Sequence, residues 1–113
     1  EVARYVGLMD CLVHLSRREG LPRALPQALA AGRPVVAYDC DGAGEVCRDG
    51  ETGFLIRPDD RATLVERVAR LAADSALRAR LGETGRAFVR ERFTLERLVD
   101  EQHALYLRLM AER

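Results

Sequence analysis

SRREGLPRALPQALAAGRPVVAYDCDGAGEVCRDGETGFLIRPDD, residues 16–60, alternates polar, glycine-bearing turns with short apolar runs. Strands alternating with helices point to a parallel α/β sheet. Within the stretch, PVVAY (34–38) has the length and β-branched content of a strand buried on both faces. GFLIR (53–57) is a second such run. The segment between them and the polar turn at 17–20 predicts a helix that opens near Pro22 and closes at Gly32. Proline at the start and glycine just past the end is the favoured asymmetry. Pro26 is tolerable only in the first turn, where its missing N–H has no intrahelical acceptor to lose. That requirement pins the helix start to residue 22 or 23. DCDGAGE (39–45) reads as a glycine-rich loop, and Asp49-Gly50 marks a turn.

Working outward, CLVHLS predicts a buried strand from Cys11 to Leu15, preceded over 1–9 by the end of a helix with Val2, Tyr5, Val6 and Met9 on one face. Downstream, Asp59 or Asp60 caps a helix reaching Ala73, with Leu64, Val68 and Leu71 inward. Asp74-Ser75 starts another, carrying Leu77, Leu81 and Phe88, which Gly82 and Gly85 are expected to weaken or interrupt. Thr94 caps a last helix with Leu95, Leu98, Val99, Leu105 and Leu109. Three strands are few for a doubly wound sheet. The expectation is therefore one domain over 1–113 that lacks its N-terminal portion.

Bulk properties narrow the function. The 113 residues are 48% hydrophobic, enough to bury a core. Eighteen acids balance eighteen bases, which gives no electrostatic reason to expect nucleic acid as a partner. No run is long and apolar enough to span a bilayer. Cys11, Cys40 and Cys47 form neither a C-x-x-C pair nor an even set, which fits reduced cysteines in a cytoplasmic protein. Asp39 and Asp41 show no third metal ligand, so no metal and no cofactor are expected. His14 reads as a packed strand residue and His103 as a solvated one. The arginines at 67, 70, 78, 80, 86, 90 and 92 read as solvated helix surface, with peripheral association at the inner face of a membrane left open.

In an open α/β sheet, ligands bind beyond the carboxyl ends of the strands. There the turn after the first strand presents Glu19 and Gly20, followed by the main-chain amides of Arg23, Ala24 and Leu25. Free amides and the positive end of a helix dipole suit a diphosphate.

The ordered set Ser16, Glu19-Gly20, Gly32-Arg33-Pro34-Val35-Val36, Gly44-Glu45 and Asp49-Gly50-Glu51-Thr52-Gly53 closely resembles glycosyltransferase family four. The likeness extends over nearly the whole chain, down to the Phe93-Thr94 step before the last helix. Several ordered motifs together are far more specific than any one. The resemblance implies a GT-B enzyme with two Rossmann-like domains. This chain would be the donor-holding part of the C-terminal one, and the N-terminal acceptor-binding domain would be missing. It implies transfer from a nucleotide-sugar with retention of configuration, and no metal requirement. Glu19, the first acidic residue of the motif, would be the catalytic residue, its carboxylate reaching the donor sugar's hydroxyls. Ser16, Gly20, Leu21, Arg23, Ala24, Leu25, Gly44 and Glu45 would bind the donor. The second acidic position of the motif is here Gln27. An amide can still hold a ribose diol, with an expected loss of roughly 1 kcal/mol against a carboxylate. Leu15 stands where the family often has proline.

Two other readings stay open on the sequence: a nucleotide or nucleotide-sugar binding module without catalysis, and a GT-B enzyme that epimerises or hydrolyses its donor. The isolated chain is expected to be inactive, since half the cleft would be absent.

Overall fold

The computed structural model describes residues 2–17, 23–40, 42–92 and 95–112. The elements run α1 (Val2–Leu8), β1 (Leu12–His14), α2 (Ala24–Ala30), β2 (Val35–Tyr38), α3 (Ala43–Val46), β3 (Gly53–Ile56), α4 (Arg61–Ala73), α5 (Ser75–Arg92) and α6 (Leu95–Ala111). The strands form one parallel sheet in the order β1-β2-β3, with Val13 opposite Val36 and Val36 opposite Phe54. Each expected strand is present and slightly shorter than its apolar run. The glycine-rich segment is not all loop, because its last three residues and Val46 form the short helix α3 (Ala43–Val46). Ala43 and Val46 anchor that turn in the core.

The side-chain period of two sends β2 to two cores. Val35 and Ala37 join Leu25, Ala28, Leu29, Ala43, Val46, Cys47 and Val89 on one face. Val36 joins Phe54, Ile56, Leu71, Leu77 and Leu81 on the other. Fully burying a leucine such as Leu25, Leu29, Leu71 or Leu81 contributes roughly 1.5–3 kcal/mol. Burial also pushes the Cys47 thiol up to about 12, so it stays protonated and packs as a small apolar group. Among the described residues all three cysteines are free.

Helix ends follow local chemistry. α2 begins at Ala24 with Arg23 as its N-cap, one residue later than expected, and Pro26 lies in its first turn. It ends where Gly32 turns left-handed at φ 74°. The Gly32 amide donates to the Leu29 carbonyl (2.9 Å) and the Arg33 amide to the Ala28 carbonyl (2.9 Å), closing the carbonyls that the helix would otherwise leave open. The Asp60 carboxylate accepts from the Thr63 amide and hydroxyl, which settles the cap of α4 on Asp60 and holds that carboxyl below its usual range. The Asp74 carboxylate accepts from the Leu77 amide. Arg78 donates to the Leu71 and Ala72 carbonyls at the end of α4, so it serves the fold rather than a solvated face. Arg67 and Arg70 likewise lie over the Phe54 ring, and Arg92 over Phe88.

Helix α5 belongs to both cores. Its first half gives Leu77 and Leu81 to one, and its second half gives Val89 to the other. It crosses at the amino ends of the strands, through Gly82 and Gly85. A Cβ on Gly82 would stand 2.0 Å from the Gly32 carbonyl oxygen, and one on Gly85 would stand 2.5 Å from Cδ2 of Leu29. The expectation that these glycines interrupt the helix is corrected: α5 is continuous. They lower its propensity but let its backbone lie directly on α2.

The Asp49–Gly53 turn is held from inside. Thr52 is buried, and its hydroxyl accepts from the Arg48 amide (2.9 Å) and donates to the Val46 carbonyl (3.2 Å). Thr52→Val keeps the shape and strands both backbone groups. It should lower unfolding free energy by about 1–3 kcal/mol, measured by urea titration.

Helix α6 extends away from these layers, and the molecule measures 54 × 28 × 25 Å. Val99, Tyr106, Leu107, Leu109 and Met110 on α6 are each at least half exposed. His103 is exposed as expected. Thr94, the expected cap of this helix, lies outside the described residues. At the opposite end of the chain, Val6 of α1 is buried while Tyr5 is 66% exposed, so only part of the expected inner face packs.

Candidate functional site at the carboxyl end of the sheet

With α5 closing the amino end, the carboxyl ends of β1, β2 and β3 form the end onto which the polar loops open. The β1 loop carries half-buried Ser16 and exposed Arg17. Glu19, Gly20 and Leu21 lie outside the described residues. The β1 loop feeds α2 through Arg23, which is exposed, helical in backbone (φ −64°, ψ −30°) and makes no side-chain cap. Ala24 is half-buried. The Leu25 side chain is fully buried, which leaves only its main chain for any part in binding.

Gln27 is exposed, and with Val6, Ala30 and Ala31 it lines a cavity of about 340 Å³ between α1 and α2. Gly44 and Glu45 stand exposed on α3, beyond the end of β2. Gly44 and Gln27 therefore face different neighbours.

Gly44 differs from the glycines that build the fold. Gly53 needs its hydrogen because a Cβ would meet the Val35 carbonyl oxygen at 1.8 Å. Gly32 needs its left-handed backbone. A Cβ on Gly44 would meet only Asp39 Oδ1 and Leu55 Cδ1, both at an ordinary 3.8 Å, and its φ is not positive. Among the described residues nothing in the fold requires glycine there, and its exposed backbone suits the close approach of a ligand.

One group at this end was not legible beforehand. Arg17, from the loop after β1, pairs with the Asp59 carboxylate, from the loop after β3. Its guanidinium also lies 5.7 Å from the centre of the Tyr38 ring, at the end of β2. Asp59 holds Arg17 even more firmly in its charged form. Nothing in the spacing of 17, 38 and 59 announces that they meet; it follows only from the parallel register.

No three His, Cys, Asp or Glu side chains gather as a metal site among the described residues. Asp39 is exposed, and Asp41 lies outside the described residues. No described helix is long and apolar enough to cross a membrane.

Comparison with known proteins bears on this geometry. The family model for glycosyl transferases group 1 matches residues 1–88. EpsD of Bacillus subtilis (strain 168) is 36% identical over 106 residues, which are 94% of this chain and 28% of that protein. The N-acetyl-alpha-D-glucosaminyl L-malate synthase of Bacillus anthracis is 30% identical, over 93% of this chain and 28% of that protein. The chain thus spans between a quarter and a third of the length of these relatives. Among solved structures, sucrose-phosphate synthase from Thermosynechococcus elongatus superposes with a TM-score of 0.82 at 30% identity, covering 96% of this chain and 27% of that one. Anabaena HepE, in complex with UDP-glucose, superposes at 0.84 with 26% identity, covering 94% and 29%. The parallel sheet, its helices and even the projecting α6 therefore have counterparts in GT-B enzymes. The chain belongs to the group 1 glycosyl transferases.

Proposed function

We propose that the chain is the donor-binding part of a retaining, family-four-type glycosyltransferase that moves a sugar from a nucleotide-sugar to an acceptor. The observation that carries this reading is the open carboxyl end of the sheet, where an exposed glycine with no structural need for being one, Gly44, stands beside the loops that feed two helix starts. Family membership and the nucleotide-sugar complex of HepE support it.

Glycosyl transfer develops positive charge on the sugar ring and negative charge on the departing diphosphate. Preorganised donors at the start of α2 would serve the diphosphate, and the carboxylate of Glu19 would orient the sugar and favour the cationic ring. Gln27 would take the ribose through its amide. The acceptor would be held by the part of the intact protein outside this chain, as would any contact with a membrane surface.

The test is ligand-induced stabilisation of the intact protein by UDP, GDP and ADP and their sugars. Saturation at a hundredfold above Kd corresponds to about 2.7 kcal/mol. Gly44→Ala should leave the ligand-free melting temperature equal or higher and weaken binding about tenfold, or about 1.4 kcal/mol. No stabilisation by any nucleotide or nucleotide-sugar would overturn the reading.

A further inference from the structure

Among the described residues, Asp59 is the only non-glycine with a left-handed backbone, at φ 73°. Such a conformation disfavours a side chain, and glycine would occupy it without cost. The carboxylate there does not cap α4, because the neighbouring Asp60 does. It pairs with Arg17. As an ion pair this contact contributes little to folding, since the two side chains are 53% and 75% exposed. A residue in a disfavoured conformation that adds little stability calls for another explanation, and position supplies one. Arg17 directly follows Ser16 on the β1 loop, Tyr38 precedes Asp39 on the β2 loop, and Asp59 is on the β3 loop. One guanidinium, paired with Asp59 and lying over the Tyr38 ring, therefore ties together the β1 loop, the end of β2 and the β3 loop at the functional end.

We infer that Arg17 is a positioning residue. Clamped by Asp59 and Tyr38, it fixes the β1 loop against the other two so that the donor groups after β1 and after β2 hold one separation. The inference rests on the donor-binding reading above. It also assigns Arg17 away from the diphosphate, because its charge is already committed to Asp59.

The experiment uses the intact protein, with turnover of whichever nucleotide-sugar it accepts and with melting temperature as the fold control. Asp59→Gly deletes the carboxylate and suits the backbone. It should leave the melting temperature equal or higher while turnover falls about tenfold, as small misplacements at a site do. Arg17→Ala should match it, and Arg17→Lys, which keeps the charge for Asp59, should recover part of the loss. The double variant Arg17→Ala/Asp59→Gly should be no worse than either single one, because both break one clamp. Wild-type turnover in Asp59→Gly overturns the clamp. So does a loss in Arg17→Ala alongside a gain in Asp59→Gly, which would place Arg17 on the phosphates. If Glu19→Gln is impaired while the clamp variants are not, the positioning role fails and the donor-site reading stands. If Glu19→Gln also turns over normally, the donor-site reading itself has failed.

Discussion

Gly82→Ala is expected to destabilise the protein by about 3 kcal/mol, toward the upper end of what overpacking costs. The added methyl would stand 2.0 Å from the Gly32 carbonyl oxygen. That atom is backbone, and it belongs to the left-handed turn that ends α2 and leads into β2. No rotamer change relieves the clash; either α5 lifts from α2 or the turn gives way. Because α5 contributes to both cores, lifting it loosens Leu77 and Leu81 on one face and Val89 on the other. Gly7→Ala is the matched control. It lies in α1 with no atom of the described side chains within 4 Å of an added Cβ, so helix propensity should stabilise it by about 0.5 kcal/mol. Urea unfolding of both variants checks the pair. Equal stability of Gly82→Ala and the parent chain would mean that α5 does not lie on α2 as described.

The second large effect is catalytic. Under the proposed function, Glu19→Gln in the intact protein should lower kcat about 100–1,000-fold, the usual loss when a preorganised group facing developing charge is removed. Gln27→Glu should change donor affinity by no more than about tenfold, since it exchanges neutral for charged hydrogen bonds at roughly 1 kcal/mol. Gln27 is exposed on α2, so the exchange should not disturb the core. Steady-state kinetics on both variants, with circular dichroism to confirm folding, separates the roles. Similar turnover in the two would remove the assignment of Glu19.

Much of the scaffold was legible because its signals are local and agree with one another. Pro26 fixed the start of α2 to within a residue, since proline fits only the first turn. Gly32 ended it for an equally local reason, a backbone that other residues resist. Asp60 and Asp74 announced their helices through capping chemistry. Gly82 and Gly85 misled for the opposite reason. Helix propensity is a property of the helix alone, whereas their value lies in what passes against them, and no window of sequence contains both Gly82 and the Gly32 carbonyl. The four-residue α3 escaped notice because a single turn has no period to detect.

The site was legible in kind but not in arrangement. Motif order pointed to the carboxyl end of the sheet, and Gly44 and Glu45 lie exposed on α3, beyond the end of β2. Leu25 was named for its main-chain amide, and the burial of its side chain in the core is compatible with that part. The meeting of Arg17, Tyr38 and Asp59 depends on which strands are neighbours and in what register, which residue spacing does not encode.

The shared ownership of α5 also bears on how the protein is made. Strands β1 to β3 are complete at Ile56, yet the helix that covers parts of both sheet faces runs to Arg92. During synthesis an emerging chain therefore carries an incompletely covered apolar sheet for some thirty-six residues beyond its last strand, an interval in which exposed apolar surface favours association with neighbouring chains.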